Sequence, residues 1–242
     1  MRRHLDVGRV AGIPIRLHLS WFAAVPLFTG ASLDLWAPEA TGLAAGALSL
    51  AFSLVFFGSV LAHELAHALV ARAIGVHTAD VTLYVFGGAA RITNEPADPA
   101  GEVLMAAAGP LGSVLLAGVA GLAAQLLTGW AGELAWLLAA GNLTLALFNL
   151  LPGFPLDGGR IARAAVWRWT GRRVLATRVT AWVGRGLAVL LAGGGATATV
   201  LAHAPRYLIQ VALGLVLYRA SVEGERAARG VRGAQERGPD PG

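Results

Sequence analysis

The sequence predicts an all-α polytopic membrane protein, with about six transmembrane helices and a small membrane-associated β-hairpin after the second helix. Three observations support this fold class. Hydrophobic residues make up 56% of the 242 residues and charged residues only 14%, against about 25% charged in soluble domains. Several apolar stretches approach or exceed the roughly 20 residues of a spanning helix. The arginines lie mainly in alternate connections between those stretches. Together these features exclude a disordered chain and disfavour a soluble globular one.

The apolar stretches predict six spans. They cover residues 19–36, a segment within 43–76, and residues 103–127, 134–151, 181–202 and 207–218. The charged start, residues 1–16, resembles the n-region of a signal peptide. It is long for that role, so we expect the first helix to be retained. Since the chain has no cysteine, disulfides and cysteine metal sites are excluded.

Three segments do not have the pattern of a span. Residues 78–94 carry β-branched and aromatic residues around Gly87 and Gly88, which predicts a β-hairpin at the inner membrane face. Residues 159–180 are rich in arginine and tryptophan, which predicts an interfacial amphipathic helix. The segment from Glu223 is rich in Gly, Arg, Glu and Pro and is predicted to be disordered. The predicted domains are therefore residues 1–222, within the membrane, and a cytoplasmic tail, residues 223–242.

Arginine placement predicts the orientation. If the N-terminus is cytoplasmic and the chain crosses six times, 18 of the 19 basic residues lie on the cytoplasmic side, and only Arg206 lies outside. This distribution follows the positive-inside rule. It predicts a multi-pass protein of the cell membrane with both termini in the cytoplasm. The net charge of +5 then reflects topology and contact with the lipid bilayer, and we expect no nucleic-acid partner.

A metal-binding motif lies in the second predicted span. His63, Glu64 and His67 form an H-E-x-x-H sequence, whose i, i+4 spacing places both imidazoles on one helical face. Glu64 is adjacent, where it can accept a proton from an activated water. Ionisable residues within a membrane span are costly and are usually functional. The motif therefore predicts a metal site.

Asp157 is the best candidate for a third ligand. It follows Pro152 and Pro155, which break the fourth span, and precedes Gly158 and Gly159, which permit tight backbone geometry. The alternative is an ordinary helix end with Asp157 in water. If the second helix enters the membrane near residues 43–47, His63 lies about 24–30 Å from the outer end at 1.5 Å per residue. Asp157 also falls in the inner part of the bilayer, so the two sites are predicted to meet.

The motifs H-E-L-A-H and N-L-L-P-G-F-P-L-D-G-G resemble those of the site-2 protease family of intramembrane zinc metalloproteases. Three flanking segments are also similar to that family, namely residues 12–18, 86–88 and 108–110. The resemblance implies one Zn²⁺ per chain, bound by His63, His67 and Asp157. It also implies that Glu64 is the general base and that Asn149 holds or polarises the scissile peptide.

Asn142 lies seven residues before Asn149 on the same helical face. It could support substrate binding, and a helix–helix hydrogen bond is the other interpretation.

The resemblance implies an intramembrane zinc endopeptidase that cleaves within or near transmembrane helices. Its substrate would be a single-pass membrane protein, for example a membrane-bound anti-sigma factor or a signal-peptide remnant. The predicted hairpin could bind an unwound substrate by strand addition. Gly87 and Gly88 would then allow close backbone approach, although a plain tight turn explains them equally well. Two alternatives remain: a membrane metal transporter, and a non-catalytic membrane protein that binds a metal. The sequence indicates no oligomeric state.

Overall fold

The computed structural model describes residues 4–36, 40–85, 87–204 and 207–236. Phe86 and Arg206, and residues 237–242 of the predicted tail, lie outside this part. The chain divides into two compact units. The first comprises residues 1–97 and 107–148, and the second comprises residues 98–106 and 149–242.

The first unit contains the long apolar helix that carries the H-E-x-x-H motif. Helix α1 (Trp21–Ala31) is followed by a 3₁₀ turn (Leu33–Trp36) and by α2 (Gly42–Ala73). Helix α2 has 32 residues, about 48 Å at 1.5 Å per residue, so it exceeds a hydrocarbon core of about 30 Å. Helices α3 (Pro99–Leu126) and α4 (Gly129–Asn149) follow, and the first turns of α3 belong to the second unit.

A four-stranded sheet is also part of the first unit in the described residues. Its strands are β1 (His4–Val10), β2 (Ile13–His18), β3 (Thr78–Tyr84) and β4 (Gly87–Ile92), in that order across the sheet. The β1–β2 and β3–β4 pairs are antiparallel, and β2 runs parallel to β3. The sheet packs on α2 through a buried cluster of Ile13, Ile15, Val81 and Ala68.

The two N-terminal strands were not predicted. Residues 1–16 were interpreted by their charge, whereas Ile13 and Ile15 alternate with polar or half-buried neighbours and point into the core. The connection between β1 and β2 is the two residues Ala11 and Gly12, both with positive φ (49° and 81°). That geometry is typical of a tight β-hairpin turn. The predicted segment 78–94 does form a pair of strands, but as half of a larger sheet.

The second unit contains α5 (Asp157–Thr170), α6 (Arg173–Leu201) and α7 (Leu208–Glu236). The segment predicted as one interfacial helix, residues 159–180, is divided between α5 and α6, because Gly171 takes a left-handed conformation (φ 66°) and ends α5. Helix α7 continues to Glu236, so residues 223–236 are helical, although their composition predicted a disordered tail.

Four helices of the described chain, α2, α3, α4 and α6, are long and apolar enough to cross a membrane. These helices support a multi-pass membrane protein. The first predicted span corresponds to α1, whose 11 residues reach only about 16 Å. The last corresponds to α7, whose apolar part ends near Arg219. Six spans are therefore not confirmed.

Candidate metal centre

The two histidines of α2 form a preorganised pair. Both side chains are buried, with 3% and 5% exposure for His63 and His67. Their Nε2 atoms are 3.2 Å apart, and the ring planes meet at 80°. In a tetrahedral zinc site, Zn–N bonds of about 2.0–2.1 Å place two ligand nitrogens about 3.3 Å apart. The pair therefore has the separation that one zinc ion requires of two imidazole ligands.

Helix α3 contacts both imidazoles. The Oγ atom of Ser113 lies 2.9 Å from His63 Nδ1. One turn earlier, a Cβ atom added to Gly109 would lie 2.2 Å from His67 Nε2 and 2.5 Å from His63 Nε2. Only glycine fits at this position unless the imidazoles move. The sequence did not single out Ser113, and Gly109 appeared only within a motif of the resemblance.

Glu64 is half-buried beside this pair and contacts strand β4. A Cβ atom added to Gly88 would lie 2.4 Å from Glu64 Cγ, so the strand approaches the glutamate as closely as its backbone allows. Gly87 has φ +135° and has no heavy atom within 4 Å of an added Cβ. The two glycines therefore differ: Gly87 serves the turn between β3 and β4, and Gly88 serves the close approach to Glu64.

Asp157 is the first residue of α5 and is 7% exposed. The preceding loop folds back tightly on itself: a Cβ atom on Gly158 would lie 2.0 Å from the Leu150 carbonyl oxygen, and one on Gly159 would lie 2.2 Å from the Gly153 carbonyl carbon. The two glycines are thus required by backbone packing. The interpretation of Asp157 as an exposed residue at a plain helix end is wrong.

Helices α6 and α7 bind this loop through its backbone. The Phe154 N–H donates to the Thr180 carbonyl oxygen at 3.1 Å, and the Ser221 hydroxyl donates to the Phe154 carbonyl oxygen. Gly184 and Gly224 lie against Phe154. A Cβ atom added to Gly184 would lie 2.0 Å from the Phe154 carbonyl oxygen, and one added to Gly224 would lie 2.1 Å from the Phe154 ring. The conformation of the loop therefore depends on two helices that follow it in the sequence.

A buried ion pair that no sequence motif indicates holds α5. Arg163 Nε donates to Glu102 Oε1 at 2.7 Å, and the same guanidinium lies over the Phe154 ring at 5.4 Å. Glu102 is fully buried and Arg163 is 8% exposed. Removing one partner of such a pair leaves an uncompensated buried charge. Glu102 directly precedes the predicted span 103–127, and Arg163 lies in the arginine-rich segment 159–180, so no pattern in the sequence linked the two.

The two asparagines singled out from the sequence have different surroundings. Asn142 is buried, and its Nδ2 donates to Ser59 Oγ at 3.1 Å and to the Leu138 carbonyl oxygen at 2.9 Å. It thus makes the expected hydrogen bond between helices. Asn149 is half-buried and is the last residue of α4.

His63 and His67 in the first unit, and Asp157 in the second, are buried residues whose side chains can each ligate a metal ion. Two imidazoles and one carboxylate are a ligand set typical of catalytic zinc sites, which leave a position open for water or substrate. The donor set and the 3.2 Å separation of the imidazole nitrogens therefore fit a single zinc ion.

Comparison with known proteins agrees with this geometry. The model of peptidase family M50 matches residues 51–130 and 123–193. A Synechocystis protein named as a candidate zinc metalloprotease is 37% identical over 191 residues, which are 77% of this chain and 50% of that protein. The zinc metalloprotease of Methanocaldococcus jannaschii is 31% identical over 195 residues, 79% of this chain and 53% of that protein.

A solved structure is also similar. The site-2 protease from Methanocaldococcus jannaschii matches with a TM-score of 0.66 and 28% identity, over 92% of this chain and 95% of that one. The chain therefore belongs to peptidase family M50, and the predicted membership of the site-2 protease family is confirmed. It spans about half the length of the curated relatives that it matches. The family and the names of these relatives support zinc metalloprotease activity.

Proposed function

We propose that this protein is an intramembrane zinc endopeptidase that hydrolyses peptide bonds in or near the transmembrane helices of other membrane proteins. The observation that carries the proposal is the pair His63 and His67, whose Nε2 atoms are 3.2 Å apart. The pair is buried in an apolar helix long enough to span a membrane, with Glu64 next to it. Ionisable residues within a membrane span are costly. A purely structural role for this part of α2 would therefore not explain two facing imidazoles and an adjacent carboxylate.

In this proposal His63, His67 and Asp157 hold one zinc ion, which supplies the Lewis acidity for activating water and polarising a carbonyl. Glu64 accepts the proton of the attacking water and returns it to the leaving amine. Asn149 holds the scissile peptide and stabilises the oxyanion that develops on its carbonyl oxygen. Asn142, whose Nδ2 donates to Ser59 Oγ, orients α4 on α2.

A substrate helix hides its backbone in its own hydrogen bonds, so it must unwind before cleavage. Strand β4 supports a mode of capture. In the described sheet it pairs with β3 on one side only, and its Gly88 lies against Glu64. An unwound segment that adds to the free edge of β4 would therefore run next to the general base. The substrate class that fits is a single-pass membrane protein, such as a membrane-bound anti-sigma factor or a signal-peptide remnant.

The decisive experiment compares Glu64→Gln with His67→Ala in the purified protein and uses a single-pass substrate that the wild type cleaves. Glu64→Gln removes the base but no ligand, so we expect cleavage to fall by about 10²–10⁴-fold with zinc content near one per chain. The His67→Ala variant should lose both the bound zinc and the cleavage activity. Cleavage by Glu64→Gln at the wild-type rate would show that Glu64 is not the base. The substrate comes from a screen of single-pass membrane proteins. If the zinc-loaded wild type cleaves none of the proteins in that screen, a transporter or a non-catalytic metal protein is favoured.

We also propose that the protein resides in the cell membrane with both termini in the cytoplasm, and that the predicted segments 19–36 and 207–218 complete six crossings. The support is the arginine distribution, with 18 of 19 residues on one side. The chain has no cysteine, so single cysteines can report the topology. A cysteine at the exposed Thr128, between α3 and α4, should react with an impermeant thiol reagent added to intact cells, whereas one at Ala228 should not. The reverse pattern would overturn the orientation.

A further inference from the structure

A buried hydroxyl in helix α3 lies against the metal centre and has no role in the H-E-x-x-H or N-L-L-P-G-F-P-L-D-G-G motifs. Ser113 is fully buried in an apolar helix, and its Oγ lies 2.9 Å from His63 Nδ1. Burying a hydroxyl costs free energy unless it is hydrogen-bonded, and here the partner is a ring nitrogen of a candidate zinc ligand.

The geometry determines which nitrogen of His63 is available for a metal. The Nε2 atom faces Nε2 of His67 at 3.2 Å, so it is the atom that would bind zinc and must lack a proton. A neutral imidazole then carries its proton on Nδ1 and donates it. A hydroxyl can accept as well as donate, so Ser113 Oγ can accept this hydrogen bond. The contact then stabilises the tautomer with the proton on Nδ1 when Nε2 binds a metal, and it fixes the rotation of the ring.

Gly109 lies one turn before Ser113 on α3 and completes the same face. An added Cβ there would meet both Nε2 atoms at 2.2 and 2.5 Å. Because Gly109 has no side chain, the two Nε2 atoms fit against α3. Ser113 contacts the opposite edge of the His63 ring, at Nδ1. Two residues at i, i+4 on α3 thus match the two histidines at i, i+4 on α2.

We propose that Ser113 is a positioning residue of the metal centre, which holds His63 in the tautomer and orientation that present Nε2 to zinc. This inference rests on the proposed function, because it assumes that His63 binds zinc. Ser113 does not touch the metal or the substrate; it acts through His63. Loss of a hydrogen-bonding partner behind a metal-bound histidine typically lowers metal affinity by about 10–100-fold.

The test measures zinc affinity by competition with a chelator in the purified full-length protein. Ser113→Ala should bind zinc about 10–100-fold more weakly than wild type, and Ser113→Thr, which keeps the hydroxyl, should recover most of the affinity. Ser49→Ala is the matched control: Ser49 is also fully buried in an apolar helix, but its Oγ has no hydrogen-bond partner in the described structure. Its zinc affinity should equal that of wild type.

A melting curve of the zinc-free protein separates positioning from packing. Ser113→Ala removes a hydrogen-bonded buried hydroxyl and Ser49→Ala an unpaired one. We therefore expect the zinc-free Ser113→Ala protein to remain folded with a somewhat lower melting temperature than Ser49→Ala, and only Ser113→Ala to lose zinc affinity. Equal zinc affinity in wild type and Ser113→Ala would overturn the inference and leave the proposed function intact. If the wild type binds no zinc, the proposed function itself fails. Should Ser113→Thr be too large to fold, Ser113→Ala against Ser49→Ala still decides the question.

Discussion

Two regions of the molecule position their candidate metal ligands in different ways. One region carries His63 and His67, and the other carries Asp157. The histidines lie on a continuous 32-residue helix, and its periodicity places their Nε2 atoms 3.2 Å apart. Asp157 follows a loop whose shape depends on backbone contacts with α6 and α7 and on glycines with no room for a Cβ atom. Helical spacing fixes a ligand pair locally. A single ligand at the end of a loop must be positioned by the rest of its unit.

This difference predicts which substitutions in each region lower zinc binding, stability or cleavage. The histidine pair should be sensitive to substitution of the histidines themselves and of Gly109 and Ser113, the two α3 residues next to their rings. The Asp157 loop should also be sensitive to substitutions at residues distant in sequence that touch only its backbone.

The largest effect is expected from His67→Ala, because one of the two facing imidazoles is lost. Zinc content should fall from about one per chain to near zero, and cleavage should be abolished. Asp157→Asn replaces the carboxylate with a neutral amide, a weaker ligand, so part of the zinc should remain. Metal analysis of purified protein measures both. Equal zinc in wild type and His67→Ala would contradict the assigned ligands.

Gly109→Ala should have the next largest effect, since its methyl group would overlap both Nε2 atoms. Because the methyl group would displace the two nitrogens proposed to bind zinc, we expect zinc affinity to fall by at least about 10-fold, which is no less than the loss of a hydrogen bond to a metal-bound histidine causes. Gly118→Ala, in the same helix with nothing within 4 Å of an added Cβ, is the control and should bind zinc as wild type does. If both variants bind zinc equally, the close approach of α3 to the histidines does not matter.

Gly184→Ala tests the other region. The added methyl would meet the Phe154 carbonyl oxygen at 2.0 Å, and overpacking of this kind costs about 1–3 kcal/mol. The melting temperature should fall, and cleavage should fall with it although Gly184 is no ligand. Gly186→Ala, with open space around the added Cβ, should do neither. A wild-type melting temperature in Gly184→Ala would refute the dependence of the loop on α6.

The smallest effect is expected from Ser221→Ala, which removes the hydroxyl that donates to the Phe154 carbonyl oxygen. A typical net hydrogen-bond contribution is about 0.5–1.5 kcal/mol, so stability should decrease slightly and cleavage by a few-fold. If the melting temperature and the cleavage rate of Ser221→Ala equal those of the wild type, then α7 does not hold the loop through this hydroxyl.

The sequence by itself determined the membrane class, the histidine pair and Glu64, because helical periodicity and hydropathy are local properties. It also predicted Asp157 as a ligand through the resemblance and a depth estimate. It did not determine the N-terminal strands, because the pairing of β2 with β3 joins residues more than 60 positions apart. The split of residues 159–180 was likewise not predicted, although Gly171 was a local signal.

Only the tertiary structure determined which side chains contact His63 and hold the segment of Asp157. Ser113 has no sequence feature that links it to His63, 50 residues earlier, and Glu102 is 61 residues from Arg163. Such partners depend on how helices pack, and a hydroxyl or an ion pair within an apolar stretch is the same in sequence whether it faces a ligand or another helix. Short sequence motifs thus determine which residue types are available to bind a metal. Their orientation is set by contacts between distant segments, since a buried polar group must find its hydrogen-bonding partner wherever the fold places one.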